Sequence, residues 1–168
     1  MNAPNIEYGM LGPILIVLAA ALIGVLIEAF VSSRYRYILQ TGTAFAAIAL
    51  AFLQLVLIRN TSSKAAVSSM SIDGVAIVLQ GSVLIFGFLG LLLIAERGFQ
   101  SFTAQAAAIP GSNEEQKALV SGLQQTEVFP LTLFAISGAM LFPAANDLLT
   151  LFVSLEVLSL PLYLMAGL

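Results

Sequence analysis

The chain contains no cysteine, no histidine and no tryptophan. Without cysteine it can form no disulfide, hold no iron–sulfur cluster through thiolates and build no zinc–thiolate site. Without histidine, haem and most transition metals lose their usual anchors. No metal or cofactor site is expected on this chain, and any electron transfer associated with it must run through centres on other subunits. Charge is scarce as well: lysine, arginine, aspartate and glutamate make up 9% of the 168 residues, against about 25% in a soluble domain. The net charge of −3 is small, and no basic patch suggests nucleic acid. So little charge cannot cover a water-exposed surface, and the solvent for most side chains must be lipid.

Apolar residues are what the chain has in plenty, at 60% of the total with a mean hydropathy of +1.02. A helix crossing a hydrocarbon core of roughly 30 Å needs about 20 apolar residues. The uncharged gaps between ionisable residues meet that length. They hold 20 residues between Glu7 and Glu28, 22 between Arg36 and Arg59, 22 between Asp73 and Glu96, and 19 between Glu127 and Asp147. From Leu148 to the end, 21 residues carry Glu156 as their one charge. Outer-membrane strands alternate apolar and polar residues, whereas LGPILIVLAAALIGVLIEAF is apolar all round. The predicted fold class is therefore an all-α membrane protein with five transmembrane helices, since lipid admits only helices or closed barrels.

Three spans, at about 10–31, 37–58 and 73–95, fill residues 1–97, and the fourth and fifth fill 128–168. Between them, residues 98–127 read as a polar loop. Ser112 with Glu115 three positions later has the spacing of a capping box, which predicts a short helix from about Asn113 to Leu123. The first residues, MNAPNIEYG, lack the positive stretch of a cleavable signal peptide. With the N-terminus outside, Arg34, Arg36, Arg97 and Lys117 fall in the cytoplasm and only Arg59 and Lys64 stay outside. The positive-inside rule therefore predicts a multi-pass protein of the cell membrane with the end at Leu168 on the cytoplasmic side.

The polar residues within spans divide by depth. Asn146 and Asp147 stand where the fifth helix begins, and either can cap its free N–H groups. Asp73 is placed to cap the third helix. Glu28, near the cytoplasmic end of the first, is within reach of Arg34, and Gln54 and Gln80 are expected to hydrogen-bond between helices. Glu156 differs from all of these. Nine residues beyond Asp147, it lies roughly 13 Å into the membrane, at a cost of about 2.5–3.5 kcal/mol on insertion scales. Acids at that depth face protein or water and serve ion or proton pathways. A cation approaching or leaving a desolvated carboxyl switches it between charged and neutral, which makes Glu156 a candidate proton relay. Ser159 and Tyr163, three and seven positions on, share its face and are candidate polar neighbours. Pro161 is expected to free the carbonyl of Val157, and Pro143 to loosen the fourth helix near Ala139. The alternative is a neutral, hydrogen-bonded glutamic acid in a structural scaffold.

The stretch from Glu127 to Leu168, and above all ANDLLTLFVSLEVLSLPLY, resembles the fourth and fifth helices of the antiporter-like, proton-pumping subunits. It is most similar to the subunit N family of the bacterial proton-translocating NADH:quinone oxidoreductase, respiratory complex I. Related subunits of the L, M and Mrp antiporter types carry a Trp before this glutamate and a Pro-Met pair after it, whereas Leu155 precedes the acid here. Glu28–Ala29–Phe30 and Asp73–Gly74 agree with the same family. The resemblance implies that Glu156 is the glutamate that pairs with a lysine on a later helix. It implies about fourteen helices in a complete subunit, of which this chain would be an N-terminal portion. It implies other membrane-arm subunits as partners within the lipid bilayer and quinone as substrate of the whole complex. FMN and iron–sulfur clusters would sit on partner subunits. A cation/proton antiporter or membrane-bound hydrogenase subunit shares the fold and is the alternative within transport.

Overall fold

A computed structural model describes residues 8–59, 69–96 and 126–167. These form five helices: α1 Tyr8–Phe30, α2 Ser33–Ile58, α3 Gly74–Ala95, α4 Val128–Leu141 and α5 Leu148–Ala166. No strand occurs among the described residues, and an isolated bridge joins Met70 to Ala145. The protein is an all-α membrane protein. Four helices, α1, α2, α3 and α5, are long and apolar enough to cross a membrane.

The fourth helix departs from the expected full-length span. Its α-helical part has 14 residues, and a 3-10 turn, Phe142–Ala144, continues it. Pro143 is the cause, because it lacks an N–H and its ring clashes with the preceding turn. At about 1.5 Å per α-helical residue and about 2.0 Å per 3-10 residue the two pieces together rise roughly 27 Å, still close to the hydrocarbon thickness. Helix α2, by contrast, begins four residues before the predicted start at 37. Charge marks the edge of the hydrocarbon, and Arg34 and Arg36 continue the helix into the headgroup layer. The predicted helix at 113–123 lies outside the described residues, as do Arg97, Lys64 and Lys117.

Successive helices run antiparallel, so the bundle has two ends. At one, Arg36 closes the α1–α2 turn onto Glu28, the Tyr37 hydroxyl donates to the Ala95 carbonyl at 2.7 Å, and Thr126 leads into α4. At the other, the approach to α3 is stitched to the α4–α5 connection. The Ser71 N–H donates to the Ala144 carbonyl and the Asn146 N–H to the Ser69 carbonyl, each at 2.9 Å. Asp73 and Asp147 cap α3 and α5 there, accepting from the N–H groups of Ala76 and Thr150 at 2.8 and 2.7 Å. Asn146 is exposed and does not take the cap.

Helix α4 lies at the centre, packed against the other four. Lipid tails are as apolar as leucine, so helices associate in membranes through close packing at small residues and through polar contacts. Here glycines mark most of the crossings. A β-carbon on Gly24 of α1 would lie 2.9 Å from the Pro130 Cβ of α4, and one on Gly87 of α3 would lie 2.7 Å from the Ile136 Cδ1 of α4. Gly12 of α1 meets Gln54 of α2, and Gly81 of α3 meets Leu55 of α2. Gln54 donates to the Gly9 carbonyl at 3.2 Å, an interhelical bond of the kind the sequence suggests.

Candidate functional site

Helix α5 rests on α4 and its 3-10 turn, and among the described residues on no other helix to comparable extent. The crossing is at Gly138. A β-carbon there would lie 2.8 Å from both the Leu158 Cα and the Val157 carbonyl carbon, and it would also clash with the Leu158 nitrogen. Only a residue without a side chain lets the two backbones meet. The stripe of α5 that faces α4 holds Ser154 and Pro161, both buried. The Ser154 hydroxyl is satisfied within its own helix, donating to the Thr150 carbonyl at 2.7 Å. At the far end of the contact, Thr132 of α4 reaches the Met165 sulfur at 3.4 Å.

Glu156 is the ninth residue of α5 and sits one residue from the crossing, at the middle of the span. Two positions beyond Ser154, it lies about 200° round the helix from the stripe that α4 covers. Ser159 and Tyr163 follow it onto that outward face. Glu156 and Ser159 are half-buried, and Tyr163 is 73% exposed. Among the described residues none donates a hydrogen bond to the Glu156 carboxylate, and neither Ser159 nor Tyr163 bonds to it. Val157, whose carbonyl Pro161 is expected to free, is pressed against Gly138 of α4. Helix α5 continues through Pro161 to Ala166.

Two polar contacts, one of Glu28 and the interhelical bond expected of Gln80, have partners that the sequence did not name. Glu28 pairs with Arg36 at 2.6 Å, not with Arg34. The carboxylate also accepts from Gln40 at 3.1 Å and from the Thr126 hydroxyl at 2.8 Å, so it joins α1, α2 and the start of α4. Arg36 further donates to the Val31 carbonyl just past α1, at 3.2 Å from Nε and 3.0 Å from Nη2. Arg34, two residues earlier and about 200° round the helix, is on the exposed side of α2. The second contact is Gln80, fully buried, whose amide donates to the Met140 carbonyl at 3.1 Å. Pro143, three residues after Met140, cannot supply the N–H that a 3-10 turn would offer that carbonyl. Gln80 supplies it from α3 instead.

Asp147, outside the spans, has its pKa lowered. The backbone N–H of Thr150, then its side chain, stabilise the carboxylate and hold it below the ordinary aspartate value.

No family model matches the chain. Curated proteins do, over nearly all of its length. It is 49% identical over 169 residues to NADH-quinone oxidoreductase subunit N of Acidothermus cellulolyticus, covering 98% of this chain and 33% of that protein. The same subunit of Thermobifida fusca is 46% identical over 176 residues, covering 99% and 32%. That of Mycobacterium tuberculosis strain H37Rv is 42% identical over 190 residues, covering 100% and 36%. The likeness read from Glu127–Leu168 therefore extends to the whole chain, which is a relative of NADH-quinone oxidoreductase subunit N and spans about a third of the length of the curated proteins it matches.

Proposed function

We propose that this chain serves in the membrane arm of a proton-pumping NADH:quinone oxidoreductase, with Glu156 as an intramembrane proton relay. The observation that carries this reading is an acid at mid-span on the face of α5 that no other described helix covers. An ionisable group at that depth faces protein or internal water. The related subunits are about three times as long as this chain, and in this reading helices from that further length close over the face and bring a cation to it. A lysine approaching Glu156 favours its carboxylate, and withdrawal of that charge favours the protonated acid. Alternation between the two states loads and unloads one proton. Ser159 and Tyr163, on the same face, offer hydroxyls along which it can be passed.

In this reading the chain carries no redox centre. FMN, iron–sulfur clusters and quinone belong to partner subunits, and the proton movement is driven by quinone reduction there. The N-terminus lies outside, which puts the Glu28 end in the cytoplasm in keeping with the positive-inside rule. The test is Glu156→Gln in the full-length subunit, assembled in its complex and reconstituted in vesicles. Proton translocation per NADH oxidised should fall while the electron-transfer arm still assembles. An unchanged proton stoichiometry would remove the relay role.

A further inference from the structure

Between α2 and α3 the outer surface is hollowed into an apolar groove of about 520 Å³, walled by Ile48, Phe52 and Val56 on one side and Leu84, Phe88 and Leu89 on the other. Its walls are unlike the helix crossings in the same fold. The close crossings of α1 and α3 with α4, and of α4 with α5, are made at Gly24, Gly87 and Gly138, and helices pack in membranes through such small residues or through polar contacts. The groove has no glycine and no hydrogen-bonding side chain in its lining. Bulky, rotatable walls without a flat contact suit a flexible hydrocarbon chain and not a rigid helix.

The groove also has a charged head. On α2 its wall rises to Val56, one turn before Arg59. Residues three apart share a helix face, so Arg59 stands over the end of the groove. It is exposed, and among the described residues it has no ion-pair partner. Among the described residues the two carboxylates at this end, Asp73 and Asp147, are turned onto the N–H groups of their own helices. We propose that the α2–α3 groove seats an acyl chain of an anionic phospholipid whose phosphate is held by Arg59. The inference needs the membrane fold and does not depend on Glu156.

The test uses the full-length subunit in its complex, placed in nanodiscs containing phosphatidylglycerol or phosphatidylcholine, each with a photoreactive group midway along one acyl chain. Crosslinks are mapped by mass spectrometry, with Leu26 on the exposed side of α1 as the reference for bulk lipid. Labelling by phosphatidylglycerol should concentrate at Phe52, Val56 and Phe88. One basic contact near the surface is worth about five-fold in occupancy. Arg59→Gln should lower labelling by about that factor, down to the phosphatidylcholine level, and Ala49→Phe should lower it by filling the groove. Equal labelling by the two lipids with no response to Arg59→Gln would mean bulk lipid only and would overturn the proposal. So would groove residues crosslinked to a polypeptide segment instead of to lipid.

Discussion

Gly138 of α4 and Leu158 of α5 meet backbone to backbone, and the meeting point is two residues from Glu156. The depth and rotation of the acid are therefore set by a glycine on a neighbouring helix. Gly138→Ala would put a β-carbon 2.8 Å from the Leu158 Cα, and overpacking of that kind costs about 1–3 kcal/mol. A thermal or denaturant titration of the purified full-length subunit should show that loss. Gly90→Ala is the control. It faces open space and should not destabilise, since alanine is favoured over glycine inside a helix by about 0.5–1 kcal/mol.

Gln80, Met140 and Pro143 form a coupled set. The Gln80 amide donates to a carbonyl that Pro143 leaves without a local donor. Interhelical hydrogen bonds in membranes are worth about 0.6 kcal/mol on average and about 1.7 at most, so Gln80→Leu should cost within that range. Pro143→Ala restores a backbone N–H, and the cost of Gln80→Leu should shrink in that background. Additive losses in the double-mutant cycle would show that the proline does not create the need.

The Glu28 contact separates two arginines that stand two residues apart, Arg34 and Arg36. Arg36→Gln removes a charge-assisted bond to a half-buried carboxylate together with two bonds to the Val31 carbonyl. A bond of that kind is worth about 1.5–3 kcal/mol. Arg34→Gln should leave stability nearly unchanged. Equal losses from the two substitutions, measured by thermal unfolding, would contradict the assignment of the pair.

Asp147 gives the start of α5 a pH dependence of known sign. Its pKa is lowered in the folded protein, chiefly by the Thr150 N–H. The stabilisation is present above the unfolded value of about 3.9 and is lost as pH falls through the lowered folded value. Amide exchange should report this as falling protection at Thr150 in acid. Asp147→Asn keeps a capping oxygen and should flatten the pH response, whereas Asp147→Ala should lose protection at every pH.

How much of this was legible beforehand differs from residue to residue. Asp73 and Asp147 were readable as caps because a cap is a local contact, three residues long, that the next turn of the same helix completes. Pro143 was readable as a disturbance, but its outcome was not. That α4 tightens into a 3-10 turn and that Gln80 answers the freed carbonyl depends on α3 lying alongside. Glu28 was readable as half of an ion pair. The choice between Arg34 and Arg36 waited on the α1–α2 turn, because two residues along a helix are about 200° of rotation.

The amino-acid order alone determined the solvent and the class of fold. Those follow from transfer free energies summed over about 20 residues, which no later contact can reverse. It also determined that Glu156, Ser159 and Tyr163 share one face, since helical geometry is fixed. Which way that face points was decided only by packing. The helices are apolar on every side, so no stripe of sequence announces the buried one. The glycine at Gly138 selects it by admitting the Val157–Leu158 backbone, and that leaves the acid turned outward.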